Sequence, residues 1–445
     1  MRRTIFLGTV LAAFCSAQAA RPQTEPAPVD ALRETVELLT RRVQEMESAQ
    51  ETGRRRIREL EDRIAQLAVG SAGSAAARER TLLLGGGAGS GQGNLLNPEI
   101  TAFVDMGGSL SSDGDNEARN RFNLREAEVD LRAAVSPRAD GVVVIAVGEE
   151  IEDPFGDVEI STEFELEEAY LDFHTLPEDL SLKAGKFRSA FGRNNLLHTH
   201  DLPQVTRPLA VQAFLGPEGL ATVGASLGWL VPNPWDRYLE LTTQVVNADG
   251  GAESPILGGP EAQNPAVLGH LNLFQDVGDT SSLELGTSFL YGGTSDDRDA
   301  AAYVLGADAT YRWRDPERPD FRSFLLQSEL FWSNGDFDDE VAGLIHDQNL
   351  GLYVFGQFQF DRSWYAGIRY DYTEFPNLES RRRNDSDWAI SSYVSWYLNE
   401  ALRLRLEYQH LERELLGESE HEDALLLGLT FFIGAHPAHP YWVNR

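Results

Sequence analysis

Leu402-Arg403-Leu404-Arg405-Leu406-Glu407-Tyr408-Gln409 alternates apolar and polar side chains without a break. A period of two places every other side chain on the same face of a strand, so this stretch predicts a β-strand with one greasy and one polar face. The pattern recurs on both sides of it. Leu239, Leu241, Thr243 and Val245 alternate with Glu240, Thr242 and Gln244, and Trp364, Ala366, Ile368, Tyr370 and Tyr372 enclose Arg369 and Asp371. Sixteen such segments can be marked: 99–106, 122–135, 140–149, 158–176, 180–187, 222–231, 237–247, 266–275, 281–291, 301–314, 320–333, 350–361, 364–373, 387–398, 401–411 and 423–434.

The connections alternate in length. Short turns, such as Ser136-Pro137-Arg138-Ala139, Arg362-Ser363 and Asn399-Glu400, take turns with long ones at 248–265, 334–349 and 374–386. Even strand number, short turns on one side and long loops on the other predict an all-β transmembrane β-barrel of about 16 antiparallel strands, with the short turns facing the periplasm. Tryptophans and tyrosines toward segment ends (Trp229, Trp235, Tyr238, Tyr291, Trp313, Trp332, Trp364, Trp388, Trp396) fit interfacial girdles. A barrel of this size encloses water instead of a packed core, so passage of solutes becomes the expected function.

The N-terminal stretch MRRTIFLGTVLAAFCSAQAA has a basic start, an apolar centre and an Ala17-Gln18-Ala19 cleavage pattern, which predicts a signal peptide over 1–19. The chain's single cysteine, Cys15, falls inside it, so the exported protein would have no disulfide. No apolar run outside the signal approaches the roughly 20 residues of a membrane helix. From Val29 to Leu67, apolar residues recur alternately three and four apart in one heptad register: Val29, Val36, Val43, Ile57 and Ile64 at a, Leu32, Leu39, Met46, Leu60 and Leu67 at d. This predicts an α-helical coiled coil over 29–68, a rod of roughly 60 Å, and hence self-association. A Gly/Ala/Ser-rich linker follows over 69–96, and the barrel domain is expected over 97–445.

The formal charge of −32 across 445 residues argues against a nucleic-acid partner, which requires clustered basic residues. Catalysis is not expected either. The chain has no G-x-S-x-G elbow, H-E-x-x-H pair or phosphate-binding loop, and scattered carboxylates such as Glu284, Asp308 and Glu329 do not make an active site.

The longest loop candidate, 188–221, follows the only two lysines in the protein, Lys183 and Lys186. Leu182-Lys183-Ala184-Gly185-Lys186-Phe187-Arg188-Ser189-Ala190-Phe191-Gly192 resembles the strand-to-loop signature of the phosphate-selective porin O and P family. The resemblance implies a sixteen-stranded, trimeric, anion-conducting outer-membrane barrel, with Lys183, Lys186 and Arg188 at or near its constriction. The heptad tail likewise resembles periplasmic coiled coils that precede some trimeric porins, which favours a trimer. As the third long loop, 188–221 is expected to fold inward and narrow the lumen. Lys183, Lys186, Arg188, Arg193 and Arg207, facing Asp201 and Glu218, are the candidate constriction charges.

His198, His200 and Asp201 carry ligand-type side chains, but they fall short of the three or four fixed groups of a zinc centre, so a structural loop role is expected, with no cofactor. The acidic stretches Asp296-Asp297-Arg298-Asp299 and Asp336-Phe337-Asp338-Asp339-Glu340 read as solvated loops. The expected surroundings are outer-membrane lipid and lipopolysaccharide, with peptidoglycan as a further partner of the rod, and the expected cargo is small hydrophilic solutes. The rival reading is a structural outer-membrane anchor, tethering the envelope through its coiled coil. A TonB-dependent receptor is excluded, because residues 20–96 are too short and polar for a plug.

Overall fold

The computed structural model describes residues 98–434, apart from 114–119, 153–158, 175, 249–255, 259–264, 295–299, 320, 340–342, 377–384 and 416–417. The signal peptide, the coiled coil, the linker, the acidic stretch 296–299 and the C-terminal AHPAHPYWVNR lie outside the described residues.

Sixteen antiparallel strands close into a barrel in which each strand pairs with its sequence neighbours and the first pairs with the last. They are β1 (Glu99–Ser111), β2 (Arg121–Ser136), β3 (Ala139–Glu152), β4 (Glu159–Phe173), β5 (Leu180–Arg188), β6 (Ala221–Leu230), β7 (Tyr238–Val246), β8 (Ala266–Asp276), β9 (Ser281–Gly293), β10 (Ala301–Arg314), β11 (Ser323–Asp339), β12 (Gly343–Asp361), β13 (Trp364–Glu374), β14 (Ser386–Asn399), β15 (Leu402–Leu415) and β16 (Glu418–Gly434). Closure runs from Thr101 opposite Gly434 to Ser111 opposite Ala424, which leaves no free sheet edge.

Strand parity behaves as the alternation requires. On β15, Arg403, Arg405 and Glu407 are buried inside while Leu406 and Tyr408 are exposed outside. On β13, Arg369 and Asp371 point in, and Ile368 and Tyr370 point out. Outward Trp229, Tyr291 and Trp396 and the turn residue Trp235 are exposed, Tyr238 has inward parity at its strand end, and Trp364 stacks on Trp396 with ring centroids 5.3 Å apart. One expectation is corrected. The stretch 334–349 is mostly strand, because β11 and β12 stay paired from Gly335–Asp347 to Asp339–Gly343. The hydrogen bonds of a strand pair come from the backbone and need no apolar face, so the polar composition concealed it.

Candidate functional site

At Arg188 the chain leaves β5 and crosses the barrel interior before rejoining the wall at Ala221. It forms short 3-10 turns at Asn194–Leu196 and Thr199–Asp201, then helix α1 (Leu209–Leu215). A buried loop must find partners for its backbone polar groups, and charged residues of the distant wall provide them. Glu329 on β11 accepts the N–H groups of Arg193 (3.0 Å) and Asn194 (2.7 Å) and the hydroxyl of Tyr353 (2.8 Å). Glu407 on β15 accepts the N–H groups of Val205 (2.6 Å) and Thr206 (3.0 Å) and the Thr206 hydroxyl (2.7 Å). Asp371 accepts from Leu209 N–H at 3.2 Å.

Three buried arginines capture the loop's carbonyls. Arg369 donates to Thr206 O at 2.7 Å and to Asp371 at 2.6 Å. Arg403 donates to Leu202 O at 3.1 Å and also to His200 O. Arg405 reaches Leu202 O (3.0 Å), Gln204 O (2.6 Å) and Asp105 (2.6 Å). These charges are therefore consumed in fastening the loop.

A second attachment is apolar. Val211, Phe214 and Leu215 of α1, with Phe191, pack against inward Val304, Leu325, Phe331, Tyr353 and Phe355. Phe191 and Phe214 flank Phe331, with ring centroids 5.6 and 5.4 Å apart. The inner face is thus not uniformly polar, as expected of a water-filled lumen. On β10–β12 it carries a hydrophobic patch, among polar residues such as Glu329 and Gln327, because the loop covers it.

The other side of the loop borders open space. A cavity of about 230 Å³ is lined by Lys183, Arg193, Gln244, Glu284 and Asp308, among others. A larger one of about 710 Å³ is bordered by Asp276, Asp279, Arg312 and Arg314. Arg193 and Glu284 line both, and they form an ion pair at the junction.

The predicted constriction charges separate into three groups. Lys183, opposite inward Ser226, faces the smaller cavity, with its Nζ 4.9 Å from the Tyr170 ring centre, and Arg193 stands at the junction. Lys186 does not join them. Three residues from Lys183, it lies opposite Val223, on the outer face, with Nζ 3.4 Å from Glu165. Arg188 and Arg207 are struts of the loop itself. Arg188 donates to Glu218 O at 2.6 Å and pairs with Glu167 at 3.3 Å. Arg207 donates to Asn194 Oδ1 and Leu197 O, both at 3.1 Å. Asp201 lies 3.8 Å from His200 Nε2, and burial together with Glu167 and Glu165 pushes the Glu218 carboxyl up to about 7. His198 and His200 meet carboxylates of β2 and β4 that sequence reasoning left out: Glu126, Glu128 and Glu167. The sequence signal for the first two was a pair of inward-parity glutamates on one strand.

No family model matches this chain. A protein of Aquifex aeolicus (strain VF5), described as uncharacterized, is 30% identical over 381 residues, which span 78% of this chain and 76% of that protein. Among solved structures, the outer membrane channel DcaP of Acinetobacter baumannii superposes with a TM-score of 0.50 at 11% identity, covering 76% of this chain and 97% of its own. The anion-selective porin from Comamonas acidovorans gives a TM-score of 0.48 at 9% identity, covering 76% and 99%.

Proposed function

We propose, for a chain that belongs to the same family as the Aquifex aeolicus protein, that the barrel is an outer-membrane channel for passive diffusion of small hydrophilic solutes or ions. The observation that carries this reading is the pair of polar cavities that meet at Arg193 and Glu284, on the side of the loop away from its apolar packing. A solute following this path meets Lys183 and Arg193 as well as Glu284 and Asp308. Opposed charges in a narrow aqueous path select ions by local field, and this mixture supports modest selectivity. The short turns would face the periplasm, and the coiled coil read from the sequence over 29–68 would be a periplasmic segment with peptidoglycan as a candidate partner. Lipid and lipopolysaccharide would surround the wall, and the family likeness read from Gly185-Lys186-Phe187 supports a trimer. Phosphate specificity has less support, since Arg188 and Arg207 are used within the loop and Lys186 faces outward.

Purified protein in planar bilayers is expected to give stepwise conductance, and a silent membrane would overturn the reading. Lys183→Glu should move the reversal potential toward cation selectivity. Arg193→Ala, which breaks the pair at the junction, should raise single-channel conductance and favour cations. Unchanged values in both variants would place the path elsewhere.

The anchor reading draws on one observation: the loop and its apolar packing fill part of the lumen. It predicts no conductance, together with loss of envelope attachment on deletion of 29–68.

A further inference from the structure

The His198-Thr199-His200-Asp201 segment meets acidic groups that solute passage does not use. Glu126 and Glu128, two residues apart on β2, point to the same inner face. On β4 the register slips opposite Val144 and Ile145, skipping Glu167. Such a bulge turns an additional side chain toward one face, and Glu167 and Glu168 are both buried there. One ligand-type atom from each of Glu126, Glu128, Glu167 and His198 lies within 4.8 Å of the others. His198 Nδ1 is 3.2 Å from Glu128 Oε2 and in contact with Glu167 Oε2, while its Nε2 looks toward Glu168 Oε2 at 3.7 Å.

Glu126 supplies an independent sign. It is 4% exposed, and no N–H or hydroxyl group of the protein donates to either of its carboxylate oxygens, which face the Glu167 carboxylate instead. Glu167 Oε1 has no such donor either. Buried carboxylates of this kind are costly unless they are paired or coordinate a metal. The neighbouring cationic groups are few. Arg188 Nη2 lies 3.3 Å from Glu167 and 3.4 Å from His198 Nδ1, and His200 Nδ1 lies 3.3 Å from Glu128. Arg207, bonded within the loop, adds a guanidinium at longer range from Glu126 and Glu167, and none of these groups donates a hydrogen bond to Glu126.

We propose that Glu126, Glu128, Glu167 and His198 bind a divalent metal ion of the zinc class inside the barrel. One imidazole nitrogen with three carboxylate oxygens matches the donors and the four-fold count that Zn²⁺ and its first-row neighbours accept. Calcium and magnesium favour all-oxygen sets of higher number. Glu168, facing Nε2 of the same ring, is placed as the outer carboxylate that orients a metal-bound histidine. The ion would join β2, β4 and the crossing loop, fastening on this side a segment that Glu329 and Glu407 fasten on the other.

The test uses full-length protein in detergent with any affinity tag removed. After loading with Zn²⁺ and dialysis, wild type is expected to retain the metal in stoichiometric amount by elemental analysis. Glu126→Gln, which keeps shape and removes charge, should lose at least about tenfold in Zn²⁺ affinity while keeping a folded barrel. Glu128→Gln serves as the second variant should the first misfold. Co²⁺ in the same protein should show visible ligand-field bands that His198→Asn alters. Wild type that binds Zn²⁺ no more tightly than either glutamine variant overturns the proposal, as does a Co²⁺ spectrum indifferent to His198.

Discussion

Glu407→Ala is expected to release the elbow of the crossing loop and raise single-channel conductance above wild type, at a cost on the order of 3 kcal/mol in barrel stability. The Glu407 carboxylate is fully buried and accepts from two backbone amides, Val205 and Thr206, and from the Thr206 hydroxyl. Alanine strands all three donors in the interior. Each buried group left unsatisfied costs about 1–3 kcal/mol, a cost set against the bonds that Arg369 and Arg405 keep to Thr206 O and Gln204 O. The loop should move, since the barrel's ladder of backbone hydrogen bonds does not depend on this residue. Glu407→Gln keeps an oxygen for the amides and should change conductance far less. Single-channel recording and thermal unfolding in detergent read the two effects separately. If Glu407→Ala conducts like wild type, the elbow does not depend on Glu407, and the remaining ties from Arg369, Arg403, Arg405, Glu329 and the apolar packing hold the loop in place.

That prediction rests on residues whose inward placement was legible and whose partners were not. Alternation placed Arg403, Arg405 and Glu407 on one face of β15 and Arg369 with Asp371 on one face of β13. Parity is local, because it depends only on the two-residue period. What those charges touch lies about 200 residues away in sequence for Arg405 and Glu407, and no local pattern reports that. The same limit explains Arg188 and Arg207, which looked like free constriction charges and are internal ties.

Two local patterns in the sequence do report the interior. Tyr353 and Phe355 on β12 face inward while Leu352 and Val354 face outward, so the middle of this strand is apolar on both faces and announces a covered wall. The consecutive Glu167-Glu168 breaks the alternation of β4 and marks its bulge. Lys183 and Lys186 were grouped by chemistry, yet a spacing of three sends them to opposite faces of a strand.

Gly185→Ala is expected to prevent barrel assembly, or to lower stability by more than about 3 kcal/mol. Gly185 has φ +136°, a region that L side chains rarely adopt, and a Cβ there would stand 2.1 Å from the carbonyl oxygen of Ala169 and 2.7 Å from Tyr170 Cα. Both obstacles are backbone, so no rotamer change relieves them. Relief requires parting β4 from β5, whose pairing spans only Ala169–Phe173 against Leu182–Lys186. Gly269→Ala is the control, because a Cβ at that position meets nothing within 4 Å. It should assemble like wild type when folded and unfolded forms are separated by heat-dependent electrophoretic mobility. A Gly185→Ala barrel as heat-resistant as the Gly269→Ala barrel would overturn this reading. The glycine in Gly-Lys-Phe then has a positional role that precedes any ion chemistry. It lets β5 lie close against β4 just before Phe187 and Arg188 turn inward, and every contact of the loop depends on that point of departure.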